Sequence, residues 1–393
     1  MDIDVCFSTS ITLKYSMNRI IMYTSGDITK GKITGGVKRF VELTRYICNH
    51  FDNAILCSMS NDVEIKKYGV QNHIALSPAK NNGFFRFLFP ELAIVLSNKN
   101  VLSSLKNQKY DKIVVFDVPP AIGLVLWGFK HIVLMIRKDM IGYECVATQH
   151  RSLKFYLKIV FQWLCEAISL SRSELIITQC LYDRDILIKR HPFLKKSLLK
   201  KTKIQINNVN PSWIQETIAE SSVPHNPFKI CFIGDFDNDR KGHDLLLDVA
   251  KKVQDLNVCF IMIGGGEKQK IYKSKFQSDK VMFTGRHNNP SELLVNSDLL
   301  VVPSLADSCP NTVLEAMNCG VPVIGSRAGG IPEILPIEEA LFDLTSESLC
   351  KLIERIINDE DYRIELLRKE QIRKQELQFN WEEKITHLIL SNS

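Results

Sequence analysis

The feature that most restricts the fold is a rhythm that runs through the first part of the chain and then starts again. RIIMYTS (19–25), apolar and β-prone, precedes the amphipathic helical pattern GGVKRFVELTRYICNHF (35–51), and NAILCS (53–58) returns to strand. DKIVVFD (111–117) and HIVLMIR (131–137) are continuously apolar, the pattern of strands covered on both faces. The rhythm restarts at FKICFIGDF (228–236). It continues through GHDLLLDVAKKVQDL, VCFIMIGGG, VMFTG, PSELLVNSD, LLVVPS, NTVLEAMNCG and VPVIGS. Strand–helix alternation predicts parallel sheets and an α/β class. Between the two runs lies NNVNPSWIQETIAESSVPHNP (207–227), polar and carrying three prolines, which predicts a domain boundary. Two such halves would face each other across a cleft.

Bulk properties agree with this division. A chain of 393 residues suits two domains. Its net charge of +6 and pI of 8.6 are too weak to argue for nucleic acid, but they suit phosphorylated ligands or an anionic membrane surface. Eleven scattered cysteines include no CxxC pair and no Cys/His cluster, so they read as reduced thiols rather than a disulfide framework or a zinc site. The first residues lack the apolar stretch of a secretory signal, and no run of about 18 apolar residues occurs. A cytoplasmic protein is expected.

The stretch DSCPNTVLEAMNCGVPVIGSRAGG (307–330) carries the strongest chemical cue. Asp307 follows a strand at its carboxyl end, where open α/β sheets bind ligands. Pro310 permits a turn, Asn311 is suited to cap a helix beginning near Thr312, and Glu315 falls in that helix's first turn. Unpaired N–H groups there suit phosphate oxygens, and a carboxylate could accept hydrogen bonds from a ribose diol. Dipole complementation on a surface helix is the competing reading of Glu315. Three further strand ends are weak cues alone: Arg240-Lys241-Gly242, two cations before a glycine turn; Gly264–Gly266, without a GxGxxG pattern; and Gly285-Arg286.

Taken in order, these four segments resemble the donor half of retaining glycosyltransferases of family 4, with the GT-B fold: two Rossmann-like domains whose parallel sheets face across a cleft. GGVKRFVELTRYI, ELIITQCLYDRDIL, INNVNPSWI and FNWEEKITHLIL resemble the family's remaining segments more loosely. The resemblance implies an acceptor-binding domain at 1–206, a nucleotide-sugar-binding domain at 207–374, and a terminal helix at 375–393 that crosses back to the first domain. It places Glu315 on the ribose, Asp307 near the donor sugar and Lys241 at the diphosphate. The backbone of Cys309, Pro310, Asn311 and Thr312 would meet sugar hydroxyls and phosphate. Arg286 would lie near the base, Gly264 at the donor site, and Gly35 and Gly36 against the phosphate from the other domain. Arg240, Lys241 and Asp307 form the expected catalytic set.

The chain departs from the family pattern at three places. Asp235 stands where the family has an arginine, with Arg240 expected to supply that charge from the next turn. Asp307 replaces a glutamate. The slot VLMIRKDMIGYE (133–144) lacks the family's histidine, leaving Lys138 as the expected contact there. DFDND has the D-x-D spacing that chelates metal in a different glycosyltransferase fold. Here a solvated acidic turn is expected, with no metal and no cofactor beyond the donor.

The implied activity is transfer of a sugar from a nucleotide sugar, UDP-linked, to a glycan or lipid-linked acceptor in cell-envelope polysaccharide synthesis. A nucleotide-sugar epimerase of the same fold and a non-catalytic nucleotide-sugar-binding subunit stay open. The stretches GFFRFLFPELAIVL (83–96), KFYLKIVFQWLCEAI (154–168) and KRHPFLKKSLLKKTK (189–203) mix cations with apolar residues. Individually they read as core helices or solvated faces. Together they point to peripheral contact with the inner face of an anionic membrane. No nucleic-acid partner is expected.

Overall fold

A computed structural model describes residues 19–29, 35–79, 90–148, 151–209, 224–276, 278–287 and 290–391. The sequence readings at 1–18, at 83–89 and at most of the 207–227 connection lie outside these residues.

The first half contains strands β1 (Ile20–Tyr23), β2 (Ile55–Ser58), β3 (His73–Ala75), β4 (Lys112–Phe116), β5 (Ile132–Ile136), β6 (Leu175–Thr178) and β7 (Thr202–Ile204). Its helices are α1 (Gly35–His50), α2 (Asp62–Lys67), α3 (Pro90–Ser97), α4 (Lys99–Asn107), α5 (Val118–Leu126), α6 (Met140–Ala147), α7 (Leu153–Arg172), α8 (Leu181–Arg190) and α9 (Lys195–Lys201). The second half contains β8 (Phe228–Ile233), β9 (Val258–Ile263), β10 (Val281–Gly285), β11 (Leu299–Val302), β12 (Val323–Ser326) and β13 (Leu341–Phe342). Around them lie α10 (His243–Lys252), α11 (Lys268–Lys275), α12 (Ser291–Leu294), α13 (Asn311–Cys319), α14 (Ile331–Ile334), α15 (Ser346–Asn358) and α16 (Glu360–Glu376). The last helix is α17 (Trp381–Ser391).

All pairings are parallel. The seven-stranded sheet has the order β3-β2-β1-β4-β5-β6-β7, and the six-stranded sheet the order β10-β9-β8-β11-β12-β13. Each sheet therefore reverses its winding once, between β1 and β4 and between β8 and β11. Loops leaving those strand ends diverge and leave a crevice. The strands alternate faces as the two-residue period requires. Ile20 and Met22 enter one apolar cluster, while Ile21 and Tyr23 enter the cluster on the opposite face.

The terminal helix returns to the first half. Trp381, Ile385 and Ile389 share a core with Phe40, Leu43 and Ile47 of α1. Trp381 is 2% exposed, and truncating a side chain so placed costs about 3–5 kcal/mol. Arg39 joins three parts of the chain at the crossing. Its guanidinium donates to Asn208 Oδ1 at 2.6 Å and to the Asn208 carbonyl at 2.8 Å, and lies 5.1 Å from the Trp381 ring. Asn208 in turn donates to the Phe379 carbonyl. The connection between the two sheets is thus pinned at its start by α1 and by the segment that leads into the last helix.

Ten cysteines fall among the described residues, all free, six of them buried. No helix of the described residues is long and apolar enough to cross a membrane.

Candidate functional site

The loop after β11 carries Asp307, and the loop after β8 carries Arg240 and Lys241. Gly242 locks the two loops together. Its φ is +76°, and a β-carbon there would fall 1.9 Å from the Pro303 carbonyl oxygen, so only glycine fits without displacement. That close approach brings Lys241 Nζ within 2.6 Å of Asp307 Oδ2. The ion pair is four-fifths shielded from water.

Arg240 points elsewhere. It donates to the Ala306 carbonyl at 2.9 Å, and its guanidinium carbon sits 3.3 Å from the centre of the Tyr143 ring, on α6 of the other half. Asp235 is answered by Arg286, which donates to its Oδ2 at 3.0 Å. The charge expected from Arg240 at that spot therefore comes from Arg286. Gly264 donates its N–H to the Gly285 carbonyl at 2.9 Å and packs against the Gly234 carbonyl, which puts it between strand ends. Among the described residues, no three His, Cys, Asp or Glu side chains converge as a metal site would need. Within DFDND, Asp237 accepts from the Lys268 backbone N–H, and Asp239 pairs with the Lys268 side chain.

The start of α13 corrects two sequence expectations. Asn311 is the first helical residue rather than the cap. The cap position is Pro310, and no side chain there bonds the helix end. Asn311 Oδ1 instead accepts from Asn207 in the connection between the sheets, at 3.1 Å. Glu315 therefore falls just past the first turn. Pro310 has no N–H, so the donors left at this end are Cys309, Asn311 and Thr312. Cys309 is buried, and burial pushes its thiol up to about 12.

Glu315 is partly buried and faces the cleft. Burial raises its carboxyl above the ordinary carboxylate range, against the fields of Lys38, Arg39 and Lys241. Lys38 and Arg39 belong to α1 of the opposite half. Burial lowers the Lys38 ammonium, and Glu315 is the strongest influence opposing that shift. The acid on α13 and the cations on α1 thus lie within electrostatic reach of one another across the two halves.

Beside α1, the end of β5 supplies a group that the sequence reading left without a role. Arg137 donates its backbone N–H to Asp117 Oδ1 at 3.0 Å and its guanidinium to Asp117 Oδ2 at 2.6 Å. It also lies 4.9 Å from the Phe116 ring. Asp117 follows β4 with a φ of +67°, a costly conformation for a residue with a β-carbon. A β-carbon on Gly36 would fall 1.9 Å from Arg137 Nη1. The guanidinium therefore rests directly on the glycine turn at the start of α1. Lys138, the expected contact, is exposed beside it. Position was the available signal: Asp117 and Arg137 follow the adjacent strands β4 and β5, the first of which borders the winding reversal of the first sheet. Gly35 opens α1 next to this group.

Further contacts hold the two halves together. Glu333 of α14 accepts the backbone N–H groups of Leu181 and Tyr182 at 2.7 and 2.8 Å, capping α8 across the cleft. Two residues on, Asp183 accepts from the Ser308 hydroxyl at 2.9 Å. Asp183 is 3% exposed, and burial raises its carboxyl to about 7 against the hydrogen bonds from Ser308 and Cys180.

Comparison with known proteins bears on these elements. Residues 227–359, the whole of the second sheet, match the family model described as glycosyl transferases group 1. The chain is 36% identical over 107 residues to N-acetyl-alpha-D-glucosaminyl L-malate synthase of Bacillus anthracis, a match covering 26% of this chain and 28% of that protein. The chain thus spans little more than a quarter of the length of that curated relative. It is 24% identical over 298 residues to an uncharacterised 41.2 kDa protein in the cps region of Klebsiella pneumoniae, covering 73% and 76% of the two chains. The crystal structure of Anabaena HepE in complex with UDP and glucose superposes with a TM-score of 0.68 at 16% identity, covering 95% of this chain and all of that one. Residues 227–359 thus resemble glycosyl transferases group 1, and the two parallel sheets have the GT-B fold of the structural neighbours.

Proposed function

We propose that the chain moves a sugar, with retention, from a UDP-linked donor to a glycan or lipid-linked acceptor in cell-envelope polysaccharide synthesis. One observation carries the reading. Glu315 lies within electrostatic reach of Lys241, which pairs with Asp307 in the same half, and of Lys38 in the other, where Arg137 rests on Gly36. A nucleoside diphosphate sugar needs this set: a carboxylate for ribose hydroxyls, cations and free helix N–H groups for the diphosphate, and a close-approach glycine opposite. The UDP bound by HepE, which has the same fold, supports a uridine donor. The relative encoded in a cps region supports a polysaccharide product.

In this reading the donor diphosphate takes Lys241 from Asp307. The lysine then faces the charge that grows as the glycosidic bond breaks, together with the N–H groups opening α13. Fixed charges in a water-poor cleft stabilise a leaving group more than any other device open to such a site. The freed Asp307 carboxylate accepts from a hydroxyl of the sugar. Arg240, held between the Ala306 carbonyl and Tyr143, positions the Lys241 loop against the other half. Lys38 and Arg137 act from that half, and closure of the cleft keeps water from the activated sugar.

The test is a thermal-shift panel of nucleotide sugars followed by product analysis with and without acceptor. Binding to the folded state alone raises the transition temperature, so the donor announces itself. Product formed only with acceptor supports the reading. A changed sugar without acceptor would make the chain an epimerase, and binding without turnover a donor-binding subunit.

A further inference from the structure

Helix α7 is the longest of the described helices, and its solvent side is apolar. Leu153, Leu157, Val160, Leu164 and Ile168 follow one another at spacings of four, three, four and four residues, which sets them in one line along the helix. They are 76, 62, 56, 47 and 39% exposed. Phe155 and Leu170 are buried. A surface helix of a soluble protein ordinarily turns polar residues outward along that line. The aliphatic line is also about 22 Å long, from the rise of a helix over fifteen residues.

The surroundings identify what this face meets. Phe193, 63% exposed, extends the apolar surface sideways, its ring 5.8 Å from that of Trp163 on α7. Lys201 donates to the carbonyls of Ser171 and Ser173, which fixes the lysine-rich α9 beside the end of α7. Lys154, Arg172, Lys195, Lys196 and Lys200 are exposed around the patch. The one acid on α7, Glu166, is buried and held by Arg190 and His191. The exposed charge of α7 and α9 is therefore all positive. No hydrogen-bonding side chain interrupts the aliphatic line to fix the register of a protein partner. One partly exposed acid, Glu144 of α6, adjoins the helix and is paired with Lys158 at 2.7 Å. An aliphatic strip bordered mainly by positive charge fits a surface that needs no register: acyl chains beneath anionic headgroups.

We propose that α7 lies flat on an anionic lipid bilayer, with the Leu153–Ile168 line at the acyl boundary and the lysines of α9 among the headgroups. This face belongs to the half of the chain assigned to the acceptor. The link to a lipid-linked acceptor rests on the proposed transferase activity, but the contact itself needs no substrate.

The experiment is sedimentation of the full chain with vesicles of phosphatidylcholine alone or with phosphatidylglycerol, without nucleotide. Binding to the anionic vesicles is expected at low salt. Raising salt to about 0.5 M, where the screening length is only a few ångströms, should weaken it severalfold. The triple variant L157S/V160S/L164S should bind roughly tenfold or more weakly, since it removes aliphatic surface from the interface. These positions are exposed, so its melting temperature should stay near that of the parent. E315Q, which alters only the donor site, should bind vesicles as the parent does. A failure of the transferase reading thus leaves this result intact. The proposal is overturned if the parent ignores anionic vesicles at low salt, or if the triple variant binds them equally well. It is also overturned if sedimentation velocity shows a dimer that the triple variant breaks, because a second copy would then cover the face.

Discussion

Lys241 Nζ lies 2.6 Å from Asp307 Oδ2, so the cation assigned to the donor diphosphate is already held by the acid assigned to the donor sugar. The two ligands compete for one ammonium. Removing the lysine by K241A should weaken UDP binding by about 1.5–3 kcal/mol, the range of a hydrogen bond to a charged group. D307N frees the lysine, and UDP should then bind more tightly while sugar transfer slows. Calorimetry on UDP, set beside turnover of the intact donor, separates these effects. Tighter binding with undiminished turnover would remove Asp307 from the chemistry.

Glu315 carries a second expectation, with a pH dependence of known sign. Only the ionised carboxylate can accept both ribose hydroxyl hydrogens, and burial raises its pKa. Donor affinity should therefore fall as pH drops through that raised value, at a higher pH than for an ordinary glutamate. E315Q should weaken binding by about 1–3 kcal/mol at neutral pH and abolish this acid limb. An unchanged UDP affinity in E315Q would return Glu315 to the role of a dipole partner.

The two parallel sheets could be read from the chain because their strands are buried on both faces. Such strands become continuous apolar runs, as in DKIVVFD and HIVLMIR. The second half was more legible than the first because its site residues lie in loops directly after strand ends, beside glycines. Pairings were not legible. Asp235 meets Arg286 fifty-one residues away, and Arg137 meets Gly36 from across the winding reversal. Nothing local to either residue encodes those distances. The segment 154–168 was legible as part of a candidate membrane contact, but the outward side of α7 was not: its sequence is apolar on several sides, and periodicity alone cannot say which side faces water.

Gly36 and Arg137 allow a test by double-mutant cycle. In G36A the new methyl group would occupy the space of the Arg137 guanidinium, so the arginine or the helix start must move. The single variant should lower donor-dependent turnover strongly, and R137A should lower it through loss of a cation facing the donor. If the two residues act through their contact, the double variant should be no worse than the poorer single one. Fully additive losses in turnover would show that each residue acts on its own.

Asp183 ties the closure of the two halves to pH. It accepts from Ser308 across the cleft, and burial raises its carboxyl to about 7, against about 3.9 in an unfolded chain. Between those values the folded protein keeps a proton that the unfolded chain has released. Stability therefore falls as pH rises from about 4 through about 7, and levels off once both states are ionised. D183N keeps an oxygen for the Ser308 hydroxyl but carries no charge at any pH. It should be more stable than the parent at pH 8, by about 1–3 kcal/mol, and should lack the slope between pH 5 and 7. Denaturant unfolding of both proteins at pH 5 and pH 8 measures this. A D183N protein less stable than the parent at pH 8 would mean that the ionised carboxylate, not its protonated form, holds the halves together.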